Sequence, residues 1–274
     1  MQRRFQLLLP EWQGGPSNSV HSGTYSIADA LMDGAADAVV DAPIDQQTPP
    51  AEGVRSLDLI ARHFQAAAAI LDEQRPTRLL TIGGTCAVEA APVSYLNDAY
   101  AGNLAVLWFD AHADMNTPAS SPSGNFHGMV LRTLLGDGPA VLLAGLPRPL
   151  QPAQVFLVGT RYLDPAEAAY IQRTGIAVYP EVDRTATQAL MAAIQAAGLR
   201  RLYIHFDVDV ISPDEFPDAL MHAPGGPSLA ELELCLQRIS ESFDVVGASV
   251  VEVRGQAERS QKMLADMLRN TGIL

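Results

Sequence analysis

The sequence is poor in basic residues and nearly devoid of lysine. Lys262 is its only lysine, and 18 lysines and arginines stand against 31 aspartates and glutamates, which leaves a formal net charge of −13 at pH 7. A chain this acidic repels phosphate backbones and anionic lipid surfaces. The composition therefore argues against a nucleic-acid partner and against binding to an acidic membrane.

Cysteine and long apolar runs are also scarce. Cys86 and Cys235 are the only cysteines and lie far apart in the sequence, so no disulfide framework is expected. The apolar run 5–9 near the N-terminus ends at Pro10, and this is too short for a signal peptide or a membrane-spanning helix. These absences predict a cytoplasmic protein with reduced thiols and no membrane segment.

Apolar residues as a class, in contrast, make up 48% of the chain, enough for a large core. Short apolar runs alternate with amphipathic segments, and we predict strands at 5–9, 38–43, 79–82, 105–109, 155–158, 176–179, 201–206 and 245–251. Helices are predicted at 26–32, 57–73, 87–95, 127–135, 165–173, 185–197, 228–239 and 258–268. This alternation predicts one α/β domain, 1–274, built as a three-layer α/β/α sandwich with a mostly parallel sheet of about eight strands.

The fourth predicted strand ends abruptly in an Asp-x-His-x-Asp motif, made by Asp110, His112 and Asp114. Parallel α/β sheets bind their ligands at the carboxyl ends of their strands. Two carboxylates that flank one imidazole are typical ligands of a Mn, Fe or Zn ion. They are not typical of a closed structural zinc site. Taken alone, the motif has a less favoured alternative, a solvated acidic turn.

A second acidic motif, Asp207 and Asp209, follows the seventh predicted strand. Because side chains alternate along a strand, we expect both carboxylates on one face at its carboxyl end. A buried carboxylate pair is costly without a cation. With the first motif, this gives four carboxylates and a histidine that can converge on two divalent cations, which together hold and acidify a water. The alternative is two unrelated acidic strand ends.

At this point the sequence resembles the arginase or ureohydrolase superfamily of binuclear manganese hydrolases. The resemblance includes Asn-Thr-Pro at 116–118 and Ser-Gly-Asn-Phe-His-Gly at 123–128, which are similar to the arginases proper, and it covers nearly the whole chain. It implies an arginase-like fold with two Mn²⁺ ions per chain. The implied metal ligands are Asp110 and Asp207 as bridges, His112 and Asp209 on one ion, and Asp114 on the other.

The resemblance also implies how a small guanidino amino acid is bound. Asn116, Ser123 and Asn125 match the arginase residues that hold the α-carboxylate and α-amino groups. Asp164 stands where the family has an acid near the α-amino group. Tyr162 stands where arginases commonly carry an aspartate, so that contact differs.

Two catalytic residues are implied in the same way. His127 matches the histidine that transfers a proton, and Glu252 matches the carboxylate that pairs with the guanidinium group. Glu167 matches a further acid of the family. An Asp-Pro-x-Glu helix start explains Glu167 equally well, because acids are common in the first helical turn.

The sequence departs from the family at the first metal-binding turn, usually Gly-Gly-Asp-His, where it has Gly83, Gly84, Thr85 and Cys86. A thiolate is softer than imidazole and suits zinc or iron better than Mn²⁺. Three outcomes stay open: Cys86 binds the metal, it lies beside a weakened metal, or one metal is lost. Cys86 could also be a small buried apolar residue without a role in binding.

Met221 stands where arginases carry a threonine near the guanidino group, and we expect it simply to pack. Both departures lie at the guanidino end, which suggests a modified guanidine. The chain resembles members of the superfamily that act on such a guanidine, and this resemblance, rather than any spacing, implies hydrolysis of Nω-hydroxy-L-arginine to L-ornithine and hydroxyurea. The alternatives are an arginase or another ureohydrolase, and a metal-poor relative without catalysis. Because little chain follows Glu252, we expect a monomer, with an oligomer as the alternative.

Overall fold

The computed structural model describes residues 4–32, 34–255 and 258–273. Within these ranges, one sheet contains the strands β1 (Phe5–Leu9), β2 (Ala38–Val39), β3 (Leu79–Gly83), β4 (Ala105–Phe109), β5 (Val155–Val158), β6 (Ala177–Tyr179), β7 (Arg201–Asp207) and β8 (Asp244–Val251). The α-helices are α1 (Ser19–Leu31), α2 (Leu57–Gln74), α3 (Ala90–Ala99), α4 (Val130–Leu134), α5 (Ala140–Leu143), α6 (Pro165–Thr174), α7 (Arg184–Ala196), α8 (Leu229–Ser242) and α9 (Glu258–Asn270).

Neighbouring strands of the sheet all run parallel, in the order β2-β1-β3-β8-β7-β4-β5-β6. The predicted parallel sheet is thus confirmed. Since parallel strands share one direction, the carboxyl ends of β3, β8, β7 and β4 lie side by side at one edge of the sheet. Cys86, Glu252, Asp207 and Asp110 stand at or just beyond these four ends, in that order.

Helices cover both faces of the sheet. Side chains alternate along each strand, so that Leu8 of β1 packs into one apolar core while Leu7 and Leu9 pack into the other. Helices α1, α7, α8 and α9 contribute to the first core, and α2, α3 and α4 to the second. This arrangement confirms the three-layer α/β/α sandwich.

Several boundaries differ from prediction. The helix predicted at 87–95 begins as a 3₁₀ turn, Cys86–Glu89, and continues as α3. The helix predicted at 127–135 likewise begins as a 3₁₀ turn, Phe126–Met129, and continues as α4. Strand β2 is shorter than predicted, and α5 was not predicted. None of the helices in the described part of the chain is long and apolar enough to cross a membrane.

Helix α1 begins seven residues before its predicted start at residue 26. The sequence pattern did not indicate this first part of the helix because it contains a glycine, Gly23. Glycine weakens a helical pattern, yet Gly23 is needed where α1 approaches the chain beyond β8. A Cβ atom on Gly23 would lie 1.9 Å from the carbonyl oxygen of Val253. In addition, the backbone N–H of Gly255 donates to the carbonyl of Ser19 at 3.1 Å. Helix α1 therefore braces the segment that carries Glu252.

We expect Gly23→Ala to lower the free energy of unfolding by about 1–3 kcal/mol, because the added methyl group must displace the backbone at Val253. Urea unfolding followed by circular dichroism measures this loss. Asp29→Ala, at an exposed position of the same helix, is the control and should change stability by less than about 0.5 kcal/mol. Equal stability of Gly23→Ala and the unmodified protein would contradict the close approach of α1.

Candidate metal centre and substrate cavity

Asp110, His112 and Asp209 form one cluster of candidate metal ligands, with ligand atoms within 4.8 Å of one another. The Nδ1 atom of His112 lies 2.8 Å from Asp209 Oδ2 and 3.5 Å from Asp110 Oδ1. Backbone N–H groups hold both carboxylates, because His112 N donates to Asp110 Oδ1 at 2.6 Å and Ala111 N donates to Asp209 Oδ1 at 2.9 Å. This geometry can hold one cation.

A second cluster contains Cys86, Asp110, His205 and Asp207, again with ligand atoms within 4.8 Å. The Cys86 thiol lies 3.2 Å from Asp207 Oδ2, and all four residues are buried. Asp110 belongs to both clusters, which is the position required of a bridging ligand. Asp207 belongs only to the second, so its predicted bridging role stays a prediction.

The strand geometry expected for Asp207 and Asp209 is wrong in one respect. Strand β7 ends at Asp207, and Asp209 lies in the 3₁₀ turn Val208–Val210 rather than in an extended strand. The turn brings the two residues together in another way, because Asp209 N donates to Asp207 Oδ1 at 2.8 Å. Both carboxylates therefore still lie at the edge of the sheet.

Asp114 adjoins the clusters but belongs to neither of them. It adopts a left-handed backbone conformation with φ of 53°. Its Oδ2 atom is buried and has no hydrogen-bond partner among the described residues. An unpaired buried carboxylate oxygen is costly and fits a site for a cation.

The carboxylates strongly perturb one another. Burial, together with Asp209 and Asp110, raises the pKa of Asp207 well above its ordinary value. Burial and Asp110 raise the pKa of Asp209 to about 7, and burial and Asp110 also raise that of Asp114. Although burial opposes its charge, His112 has a pKa raised to about 12 by its contacts with Asp110 and Asp209. One imidazolium does not balance this many carboxylates, so the site fits divalent cations.

The two predicted catalytic residues lie in contact. His127 Nδ1 is 3.0 Å from Glu252 Oε1, and the same oxygen accepts a hydrogen bond from Cys86 N at 3.0 Å. Glu252 has φ of 66° and is only 1% exposed, and its Oε2 atom is buried without a hydrogen-bond partner in the described chain. Glu252 thus links the proton-transfer candidate to the turn that carries Cys86.

A cavity of about 260 Å³ opens beside these groups. Its lining includes most of the predicted site residues: Cys86, His112, Asp114, Asn116, Ser123, His127, Asp164, Asp207 and Asp209. Asp110, Asn125 and Glu252 lie behind this surface and are at least 93% buried. The structure therefore brings the sequence-predicted residues around one cavity.

At one side of the cavity, hydrogen bonds connect the residues predicted to hold the amino acid. Asn116 donates through Nδ2 to Asp164 Oδ2 at 2.8 Å, and Ser120 Oγ donates to Asn116 Oδ1 at 2.8 Å. Glu167 accepts the backbone N–H groups of Met115 and Asp164 at 2.8 and 2.9 Å. These contacts give Glu167 the structural role that its place at a helix start suggests.

Tyr162 and Met221 are partly exposed, by 58% and 43%. The ring of Tyr162 meets that of His112 edge-on at 5.6 Å. Both side chains line the cavity, so the expectation that Met221 packs into the protein is wrong.

Sequence reasoning missed Glu11, which is isolated in a loop and gives no motif. Its buried carboxylate accepts hydrogen bonds from Gly14 N at 2.5 Å and from Thr85 Oγ1 at 2.7 Å. An aspartate at position 85 would face Glu11 as a second carboxylate, whereas threonine donates a hydrogen bond. The Thr85 departure therefore has a local structural reason. Burial raises the pKa of Glu11 to about 7.

Because Glu11 has a pKa of about 7 when folded and 4.5 as its ordinary value, folding favours the protonated form. Its contribution to stability is present below pH about 4.5 and is lost as the pH rises to about 7. We expect Glu11→Gln, which does not ionise, to gain about 3 kcal/mol relative to the unmodified protein over that range. Urea unfolding of metal-free protein at several pH values tests this, and a stability difference that is independent of pH would contradict it.

His205 and Glu89 were also missed, because a histidine inside an apolar strand gives no signal of its own. Both are 0% exposed, and His205 Nδ1 lies 3.1 Å from Glu89 Oε1. Trp108, the strand neighbour of His205, stacks on its ring at 3.6 Å. The indole Nε1–H of Trp108 donates to Asp110 Oδ2 at 3.1 Å.

Comparison with known proteins agrees with this geometry. A sequence model of the Arginase family matches residues 18–271. An arginase of Staphylococcus aureus (strain MRSA252) is 31% identical over 195 residues, 69% of this chain and 63% of its own length, so the match spans less than two thirds of that relative. An arginase of Bacillus caldovelox is 32% identical over 209 residues, 73% of this chain and 70% of its own.

Solved structures extend the likeness to the whole described fold. The native arginase from Bacillus caldovelox superposes with a TM-score of 0.87 at 26% identity, covering 100% of this chain and 98% of that one. The Entamoeba histolytica arginase in complex with L-ornithine gives 0.86 at 22% identity, with 99% and 98% covered, and supports the fold. The chain belongs to the arginase family.

Proposed function

We propose that this chain is a dinuclear manganese amidinohydrolase that hydrolyses a small guanidino amino acid. The observation that carries the proposal is the position of Asp110, which is shared by two clusters of candidate metal ligands beside one cavity. Family membership supports the reaction class.

The donors fit two divalent cations, since buried carboxylate oxygens such as Asp114 Oδ2 have no partner in the described part of the protein. The residues that would hold the ions come from the two acidic motifs and the Gly-Gly turn: Cys86, Asp110, His112, Asp114, Asp207 and Asp209. When bound, two such ions supply Lewis acidity and lower the pKa of a water held between them.

His127 is the proposed proton donor to the leaving amine. It lines the cavity, and although burial opposes its charge, Glu252 raises its pKa. A raised pKa favours the protonated imidazole, which is the form that donates a proton as a general acid. Glu252 holds this ring through Oε1, and we assign the second, unpaired oxygen to the guanidine of the substrate.

The amino acid end of the substrate is assigned to the polar side of the cavity. Asn116, Ser123 and Asp164 present amide, hydroxyl and carboxylate groups there, which match the α-carboxylate and α-amino groups of an amino acid. Asn125 supports this loop, since its backbone N–H donates to Ser123 Oγ at 3.2 Å. The Asn116–Asp164 hydrogen bond fixes the direction of both side chains.

We further propose that the substrate is Nω-hydroxy-L-arginine and the products are L-ornithine and hydroxyurea. Cys86 and Met221, the departures that the resemblance places at the guanidino end, both line the cavity. The amino acid side keeps Asn116, Ser123 and Asp164 of the arginase pattern and differs at Tyr162. In this combination the chain resembles the Nω-hydroxy-L-arginine amidinohydrolase of D-cycloserine biosynthesis, which suggests a role in antibiotic biosynthesis. A hydroxylated guanidine is less basic, and its hydroxyl group can approach a metal.

The second candidate is an arginase that converts L-arginine to L-ornithine and urea. The relatives from Staphylococcus aureus and Bacillus caldovelox are named arginases, which favours this candidate. For either reaction we propose that the chain acts as a single-domain monomer in the cytoplasm. Its buried free cysteines are consistent with that reducing compartment.

Substrate preference separates the two candidates. With Mn²⁺-loaded protein we expect kcat/KM for Nω-hydroxy-L-arginine to exceed that for L-arginine by at least about 10-fold, or about 1.4 kcal/mol. Chromatographic detection of L-ornithine and hydroxyurea provides the measurement. Agmatine, which lacks the α-carboxylate, is the control and should be a poor substrate. A preference for L-arginine would contradict our choice and support the arginase.

We expect Cys86→His to raise manganese occupancy and to shift preference toward L-arginine, because imidazole suits Mn²⁺ better than a thiolate. Metal content by mass spectrometry and the ratio of kcat/KM values measure both effects. Cys235→Ala replaces the other buried cysteine, in helix α8, and serves as the control. If neither quantity changes in Cys86→His, then Cys86 only packs.

A further inference from the structure

His205 has no part in the reaction proposed above, yet it lies directly beneath the candidate metal centre. It is 0% exposed in the middle of β7. Its Nε2 atom is 3.8 Å from Asp110 Oδ2 and has no hydrogen-bond partner among the described residues. A buried imidazole nitrogen that faces a carboxylate without a hydrogen bond requires an explanation.

The other nitrogen of the ring explains the orientation. Nδ1 lies 3.1 Å from Glu89 Oε1, and Glu89 is also 0% exposed. This contact lacks the geometry of a hydrogen bond, but when the ring proton is on Nδ1, toward Glu89, the lone pair of Nε2 faces Asp110. Histidines that bind metals almost always donate their second ring N–H to a carboxylate or carbonyl in this way.

The surroundings hold the ring in this orientation. Trp108 stacks on it with ring planes 18° apart. Across the strands, Ser249 is paired with both His205 and Thr81, so a band of polar residues runs beneath the centre. Tyr203 faces Glu89, and burial together with Glu89 raises the pKa of its hydroxyl well above the ordinary value. Gly247 leaves room for that ring, since a Cβ there would lie 2.4 Å from Tyr203 Cδ2.

The distances suit one ion. Atoms bound to a single cation at about 2.0–2.3 Å lie about 3–4 Å from one another. The separations are 3.8 Å between His205 Nε2 and Asp110 Oδ2, and 3.2 Å between the Cys86 sulfur and Asp207 Oδ2. Thiolate, imidazole and two carboxylates together form a donor set that binds divalent transition metals tightly.

We propose that His205 is a ligand of the cation on the Cys86 side, oriented by Glu89. In this arrangement an imidazole from β7 supplies the nitrogen that the cysteine at position 86 does not provide. The inference rests on the proposed dinuclear centre, but its test measures metal binding without substrate.

Cobalt(II) is the probe, because it reports bound sulfur through a charge-transfer absorption band and bound imidazole through shifted N–H proton resonances. Metal-free protein is titrated with Co²⁺, and His205→Gln is compared with the unmodified chain. Loss of a residue that only hydrogen-bonds to a metal ligand lowers metal affinity about 10- to 100-fold. Loss of a ligand itself should cost more, so we expect this variant to weaken Co²⁺ binding at the sulfur-containing site by at least about 100-fold. One exchangeable N–H resonance should disappear with it.

His63→Gln is the matched control. His63 is also a buried histidine, 8% exposed, and its Nε2 bonds to the carbonyl of Val40 at 2.8 Å, away from the cavity. This variant should keep the cobalt spectrum. Because His205→Gln leaves Glu89 buried without its partner, the double variant His205→Gln/Glu89→Gln carries the test if the single variant does not fold.

An unchanged cobalt affinity, sulfur band and N–H spectrum in a folded His205 variant would overturn the proposal. That result is independent of turnover. If the protein hydrolyses Nω-hydroxy-L-arginine but the His205 variant binds cobalt unchanged, only the role of His205 as a ligand is refuted. A protein that turns over no guanidino amino acid, yet loses cobalt with His205, refutes only the proposed function.

Discussion

The burial of several carboxylates at one edge of a parallel sheet is the constraint on which the rest of this structure depends. Asp110, Asp207 and Asp209 are 0%, 3% and 2% exposed. Such groups repel one another and lose their hydration, at a cost that only hydrogen bonds, protons or cations offset. Backbone N–H groups of the turns after β4 and β7 supply part of the compensation. The charge that these hydrogen bonds leave uncompensated suits this edge of the sheet to binding cations.

Other buried acids tie the surrounding loops to this edge. Glu252 joins His127 to the Cys86 turn, Glu11 joins the Gly14 turn to Thr85, and Glu167 accepts N–H groups from Met115 and the start of α6. Each acid bonds to backbone or side-chain donors from another segment. The loops around the cavity are therefore held together by carboxylates that are not themselves candidate ligands.

The two halves of the centre differ in chemistry. Around His112 the donors are those of the arginase pattern, and the adjoining side of the cavity presents amide, hydroxyl and carboxylate groups for an amino acid. Around Cys86 the candidate donors are a thiol, the carboxylates of Asp110 and Asp207, and the imidazole of His205 from β7. Metal preference and substrate choice are both expected to depend on this second half.

The sequence alone determined the parallel α/β architecture and the principal ligand candidates. Apolar runs that end in Asp110 and Asp207 are local signals, because strand alternation and a shared strand direction require no knowledge of distant contacts. Only the tertiary structure decided the strand order, the pairing of Glu252 with His127, and the approach of His205 to Asp110. The physical reason is that Glu11, Glu89 and His205 are isolated in the sequence. They acquire a role only when parallel strands and their turns bring groups from distant segments to within 2.7–3.8 Å of one another.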